Sequence, residues 1–482
     1  MNKEFKYIPK AERKKILLLC DDIRMHSGIA TMAREFVINS SGHFNWVNLG
    51  AAINHPEKGK TLDISADITK QTGIEDPNVL IIPNNGYGDA QMVRNLINTH
   101  NPDALFIFTD PRYWVWLFEI EREIRSKIPI VWLNIWDDYP APRYNEFYYD
   151  SVDALMAISK QTRNINELVL GDKADNKIIE FVPHGINEKF FFPITKEHEK
   201  FKDFQQFKKD LFNGKDLDFV VFFNSRNIHR KRPGDTILAF RYFCDMIGKE
   251  KAKKCALVMH TAPSDNNGTD LRAVKDALTD PEYVNVFFSN DRLTPQQMNL
   301  LYNTADVTML LSSNEGWGLA LTESMLSGTM IIANVTGGMQ DQMRFEDENG
   351  DWIDFDADFP SNHRGKYKKC GRWAQPVFPS NISLAGSPAT PYIFDDRCSP
   401  EDAANALLEV YNLGKEERIK RGLEGREWAT GDEARFTADK MTASIVNIVD
   451  ETIETFKPRS KYDIHKIGPR PNRYVSHKLL DY

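Results

Sequence analysis

SSNEGWGLALTESMLSG, residues 312–328, decides the fold. Two glutamates, Glu315 and Glu323, stand in a run that otherwise wants to be buried. A buried carboxylate is costly without a partner. The stretch before it, DVTMLLSS, reads as a strand, and GLALTESMLSG reads as a helix that Gly328 would cap. Between them lies NEGWG. Gly316 and Gly318 lack a Cβ, so a ligand can approach the backbone there. The helix N-terminus offers free N–H groups and a partial positive charge, which suits phosphate. Glu323, about two turns into the helix, can take two hydroxyls of a sugar or ribose. The plainer reading is a helix-start acid followed by a solvated side chain.

Short apolar runs followed by helical patterns recur on both sides of this stretch. Upstream stand KILLLCDD, PDALFIFTD, IPIVWLNIWDD, SVDALMAIS and KIIEFVPHG. The pattern lapses after Pro193 into a charged linker with an amphipathic helix. A second series follows: DFVVFFNSRN, KCALVMHTA, VNVFFSN, DVTMLLSS and TMIIANV. Apolar runs of about four to eight residues alternating with helices imply parallel sheets with helical crossovers. The expected architecture is α/β, with two Rossmann-like domains facing across a cleft and a helical C-terminal segment. The expected boundaries are 1–195, 196–440 and 441–482. Ligands of such sheets sit at the carboxyl ends of the strands.

The chain has 482 residues, a net charge of -8, 41% hydrophobic and 27% charged residues. Such a composition fits a multidomain globular protein and excludes a general polyanion binder. Cys20, Cys244, Cys255, Cys370 and Cys398 are scattered and form no C-x-x-C pair. They suggest a reducing compartment, without a disulfide framework or zinc site. The N-terminal apolar run is too short for a signal peptide. No run approaches the ~20 apolar residues of a membrane span. The expected location is the cytoplasm, or the host cytoplasm if a phage encodes the chain.

The segment EGWGLALTE resembles the E-x7-E motif of retaining glycosyltransferases with the GT-B fold, the group often called group 1 or family 4. LTPQQMNLLYNTADVTMLLSS before it and SGTMIIANVTGGMQDQ after it are similar to the flanking segments of that family. FFNSRNIHRKRP resembles its strand followed by Arg and then Lys. VPHGINEKFFFP resembles its interdomain segment, and DDIRMHSGIATMARE its first strand and glycine loop. The resemblance runs through most of residues 15–345.

It implies that Arg226 and Lys231 clamp the diphosphate of a nucleotide-sugar donor, UDP being the commonest, with no metal. It implies that Glu323 binds the ribose and Glu315 the transferred sugar, with Gly28 approaching the phosphate from the other domain. Gly316, Trp317, Gly318 and Leu319 complete the expected donor site. Cations and a helix N-terminus at the leaving group suit the charge that develops there. The bland reading of Arg226 and Lys231 is a solvated basic loop. Trp136 stands where the family usually has histidine, which puts polar contacts on that side in doubt. Asp110, Asp137 and His184 are candidate acceptor-side residues, with turn acids and a structural histidine as the alternative.

Residues 359–394 contain no acid, and Arg364, Lys366, Lys368, Lys369 and Arg372 fall close together with Tyr367 and Trp373. The tail KPRSKYDIHKIGPRPNRYVSHK is basic as well. Basic residues among aromatics suit nucleic acid, and a solvated loop is the alternative. TDPRYWVWLFEIEREIR, WDDYPAPRYNEFYYDSVDALMAISKQT and GSPATPYIFDD look like segments of glycosyltransferases of large tailed bacteriophages. That resemblance implies 5-hydroxymethylcytosine in DNA as the favoured acceptor, with glucose or arabinose as the sugar. A cell-surface glycan or lipid is the rival acceptor. A GT-B epimerase or phosphorylase lacks its signature here, and a non-catalytic binding module is the remaining class.

Overall fold

The structure is a computed structural model that describes residues 7–359, 361–460 and 462. The apolar runs of the first half form β1 (Lys14–Asp21), β2 (Phe44–Ala52), β3 (Leu62–Asp63), β4 (Val79–Asn85), β5 (Ala104–Phe108), β6 (Ile130–Asn134), β7 (Ala154–Ala157) and β8 (Ile178–Phe181). They build one sheet in the order β3-β4-β2-β1-β5-β6-β7-β8. All pairings are parallel except β3 with β4. Ile16 to Cys20 are completely buried, as expected of a strand covered on both faces.

The second half forms β9 (Phe219–Asn224), β10 (Cys255–His260), β11 (Asn285–Ser289), β12 (Val307–Leu310), β13 (Met330–Asn334) and β14 (Ala374–Val377). These make a parallel sheet in the order β11-β10-β9-β12-β13-β14. The basic segment that begins at residue 359 contains β14 and, with its continuation, a two-stranded antiparallel hairpin, β15 (Asn381–Ser387) and β16 (Thr390–Arg397). Alternating Ile382 and Leu384, then a Ser-Pro-Ala turn, carry the hairpin pattern. The run YWVWLFEIEREIRS, whose pattern after PDALFIFTD is helical, does not form one continuous helix. It breaks into a 3-10 turn at Pro111–Trp114 and short helices Val115–Glu119 and Glu121–Ile124.

The chain crosses between the sheets twice, and the crossings are stitched together. Ile186 N–H donates to Phe436 O, and Ala438 N–H donates to Ile186 O, both at 3.0 Å. Gly185 sits so close that a Cβ there would overlap the Thr437 carbonyl. After the second crossing, helix Ala438–Thr455 packs on helix Gly28–Asn39 of the first sheet, and Asp450 meets His43 at 2.7 Å.

Candidate active site

The site is built where the carboxyl ends of both sheets converge. Asn314 to Gly318 link β12 to helix Leu319–Leu326. Gly318 precedes the helix with φ 90°, a conformation that glycine adopts without strain. A Cβ on Gly316 would lie 2.9 Å from Ile158 and 3.1 Å from the Ile135 carbonyl, both in the first domain. From below, Gly338 donates its N–H to Glu315 O at 3.0 Å. The loop is thus pressed between its own sheet and the opposite one.

Four charged side chains meet there. Lys231 and Glu315 form a direct ion pair. Arg230 Nη1 donates to Asn314 O at 2.8 Å, and lies 3.8 Å from Glu315 Oε2 and 4.0 Å from Asp137 Oδ2. Burial drives the Lys231 ammonium well below its ordinary range; Arg230 adds to that, and Asp137 opposes it. Arg226 is the more exposed cation, with Nε 2.9 Å from Asp265 Oδ2. Sequence reading passed over Arg230, although it directly precedes Lys231.

Glu323 lies on the inner face of helix Leu319–Leu326. Tyr302 donates its hydroxyl to Glu323 Oε2 at 2.5 Å and accepts from Asn224 at 2.8 Å. Burial pushes the Glu323 carboxyl up to about 7, against the Tyr302 hydrogen bond. Asp341 was not singled out from sequence. It accepts the Lys160 backbone N–H across the domain boundary at 2.9 Å, and burial pushes it up to about 7.

On the opposite wall, Gly28 opens helix Gly28–Asn39, whose N-cap Ser27 accepts from Ala30 N–H. A Cβ on Gly28 would stand 3.5 Å from Leu319 Cδ1, so two helix N-termini face each other. Asp21, at the end of β1, accepts from Ser27 at 2.5 Å and from Tyr87 at 2.6 Å. Two apposed N-termini make an anion-attracting pocket.

The other expected residues have other surroundings. The Trp317 ring is 2% exposed, bonded to Thr322 and set edge-on to Phe436, so it offers the cleft backbone only. His184 packs against Phe108 and Trp317; burial lowers its pKa to about 3. Asp110 caps the Pro111–Trp114 turn and pairs with Arg112 at 2.6 Å. The Trp136 ring is buried, with Nε1 donating to Asp138 O. Asp138 is buried beside Asp137, and both effects raise its pKa well above the carboxylate range.

Arg372 is spent on Glu417 and Glu424, and Lys369 on Glu346. Arg364, Lys366 and Lys368 make no ion pair among the described residues, and Lys366 and Lys368 lie over Tyr367 and Phe378. Most of the basic tail lies outside the described residues. Among the described residues, no group of three His, Cys, Asp or Glu could hold a metal. No helix there is long and apolar enough to cross a membrane.

Residues 202–358 match the family of glycosyl transferases group 1. The second domain is a glycosyltransferase domain. Similar folds include a glycosyltransferase from Rickettsia africae, with TM-score 0.61 at 14% identity, covering 92% of this chain and 100% of that one. Anabaena HepE, solved with UDP and glucose, gives 0.60 at 12% identity, covering 91% and 100%. Sucrose-phosphate synthase from Thermosynechococcus elongatus gives 0.60 at 13% identity, covering 92% and 100%. No curated protein matches the sequence. The glycosyltransferase thus has a GT-B fold of two parallel-sheet domains.

Proposed function

We propose that this glycosyltransferase moves a sugar from a UDP-sugar to a hydroxyl acceptor with retention of configuration. The carrying observation is the cluster of Lys231, Arg230 and Glu315 beneath the two facing helix N-termini. Cleaving the glycosyl–phosphate bond leaves negative charge on the diphosphate. Lys231, Arg226 and the helix N-termini would stabilise it once Lys231 turns from Glu315 to the phosphate. Glu315 would take hydroxyls of the transferred sugar and Glu323 those of the ribose. The departing phosphate would accept the acceptor's proton, and no metal is required for that step. HepE, with UDP and glucose in a similar fold, supports the donor class.

Two acceptors are supported by different features. Arg364, Lys366 and Lys368 support a phosphate-bearing acceptor, 5-hydroxymethylcytosine in phage DNA, with glucose or arabinose transferred. The cleft mouth favours a saccharide. Asp21 ends β1 there, Asp110 and Asp137 follow β5 and β6, and Arg112 and Arg230 pair with the last two. Such carboxylate–guanidinium pairs accept from and donate to hydroxyls, and Asp21 adds a negative charge that disfavours a phosphodiester.

The test is incubation with radiolabelled UDP-glucose, UDP-galactose and UDP-N-acetylglucosamine. Each is offered with plain DNA, hydroxymethylcytosine DNA or simple glycosides. Label transfer to any acceptor, or release of free sugar, is expected. No turnover and no UDP binding would leave a non-catalytic module.

A further inference from the structure

The hairpin β15–β16 belongs to the second domain, yet its return strand is built into the first. Phe394 N–H donates to Tyr139 O at 2.6 Å across the cleft. Phe394 O in turn accepts from Asn314 Nδ2 at 2.6 Å, one residue before Glu315. The strand is pinned on both sides of that point. Arg232 pairs with Asp395 at 2.6 Å. The fully buried Asp396 accepts from Thr336 at 2.6 Å and Asn362 at 2.9 Å.

This anchoring fixes Tyr392 against Tyr144 of the first domain, ring centroids 5.0 Å apart and nearly perpendicular. Tyr144 O–H donates to Tyr392 O at 3.4 Å, and its ring also meets Trp136. The Tyr144 phenol lies within the field of Asp138, Arg112 and Asp110. Arg112 in turn lies beside Tyr113, which is 50% exposed and packs on Tyr87 at 4.5 Å. A row of half-exposed rings, interrupted by one carboxylate–guanidinium pair, therefore leads from the hairpin to the first domain's strand ends.

We propose that Tyr392 and Tyr144 form an acceptor-specificity wall for a saccharide ring, with Asp110 and Arg112 taking its hydroxyls. The proposal rests on the glycosyltransferase reading above and deepens it. Tyrosine offers an apolar face and a polar rim at low entropy cost, which suits the two-faced surface of a sugar. Asp110 accepts and Arg112 donates, so one pair can hold two neighbouring hydroxyls. A hairpin from the donor domain that closes the acceptor site also ties acceptor fit to the geometry of Glu315.

The full-length chain is assayed with a labelled UDP-sugar. The acceptor probes are p-nitrophenyl glucosides, galactosides and mannosides, maltose, and a hydroxymethylcytosine oligonucleotide. Tyr392→Ala and Tyr144→Ala should each raise the acceptor KM about tenfold, or about 1.4 kcal/mol. The donor KM and the rate of acceptor-free donor hydrolysis should stay within about twofold of wild type, which also reports folding. Tyr392→Phe, which keeps the ring, should restore the acceptor KM. Unchanged acceptor KM in both alanine variants overturns the proposal. So does donor hydrolysis without transfer to any glycoside, or transfer to the oligonucleotide alone. Absence of both hydrolysis and transfer defeats the glycosyltransferase reading itself, a separate result.

Discussion

Lys231 and Glu315, 84 positions apart in the chain, meet in a direct ion pair at the centre of the candidate site. On the proposed reading Lys231 meets the diphosphate and Glu315 the sugar, so a bound donor would part them. The exchange replaces one buried ion pair with two charge-assisted contacts. Arg230, 3.8 Å from the same carboxylate, can hold Glu315 while Lys231 turns to phosphate.

Glu315→Gln should keep UDP affinity within about threefold and lower kcat about 10²-fold, the scale for losing one group that contacts transition-state charge. Calorimetric UDP titration and a transfer assay measure the two separately. A variant as active as wild type would remove Glu315 from the mechanism.

Stability should fall as pH rises through neutrality. Glu323 and Asp341 are both raised to about 7 by burial. A carboxyl with a raised folded-state pKa contributes stability that is fully present below its unfolded pKa. That contribution is lost as pH rises through about 7. Urea midpoints at pH 6 and pH 8 should therefore differ more in wild type than in a Glu323→Gln/Asp341→Asn variant. Nucleotide affinity should show the opposite trend, strengthening as Glu323 ionises to accept ribose hydroxyls. Glu323→Gln should flatten it.

Gly338→Ala should damage donor binding more than the fold. A Cβ there would overlap the Gly316 carbonyl and come within 2.9 Å of Trp317 Cα, forcing the donor loop outward. A tenfold loss of UDP affinity, about 1.4 kcal/mol, is expected. Calorimetry on the purified variant checks it, alongside a thermal melt that should drop by a few degrees.

Arg364→Ala/Lys366→Ala/Lys368→Ala should leave transfer to glycosides within about twofold, because these exposed side chains make no ion pair among the described residues. If DNA were the acceptor, removing three phosphate contacts would flatten the log–log salt dependence of DNA binding by about 2.7, or 0.9 per contact. Fluorescence anisotropy with duplex DNA over a salt series distinguishes the two.

The loop of residues 314–318 was legible because its signals are local. Glycines, acids and two apolar runs within and just before these 17 residues specify strand, turn and helix. The alternating strands and helices likewise carried both sheets. What escaped depends on distant partners. Asp341 matters because Lys160 docks on it, and Arg230 because Glu315 and Asp137 flank it. The hairpin hid inside a stretch whose charge drew attention away from its period-two pattern. The interruption near Ile120 has no proline or glycine to announce it, and φ -109° with ψ 12° ends the helix there.

The stitched crossings have a consequence for biosynthesis. Helix Ala438–Thr455 covers helix Gly28–Asn39, so residues about four hundred positions apart share one layer. A ribosome finishes the second sheet before it releases the piece that seals the first. The first sheet must therefore wait, part of its surface still wet, until residues 438–455 have been made. A nascent chain halted at residue 437 should be markedly more open to protease around Gly28–Asn39 than the finished molecule.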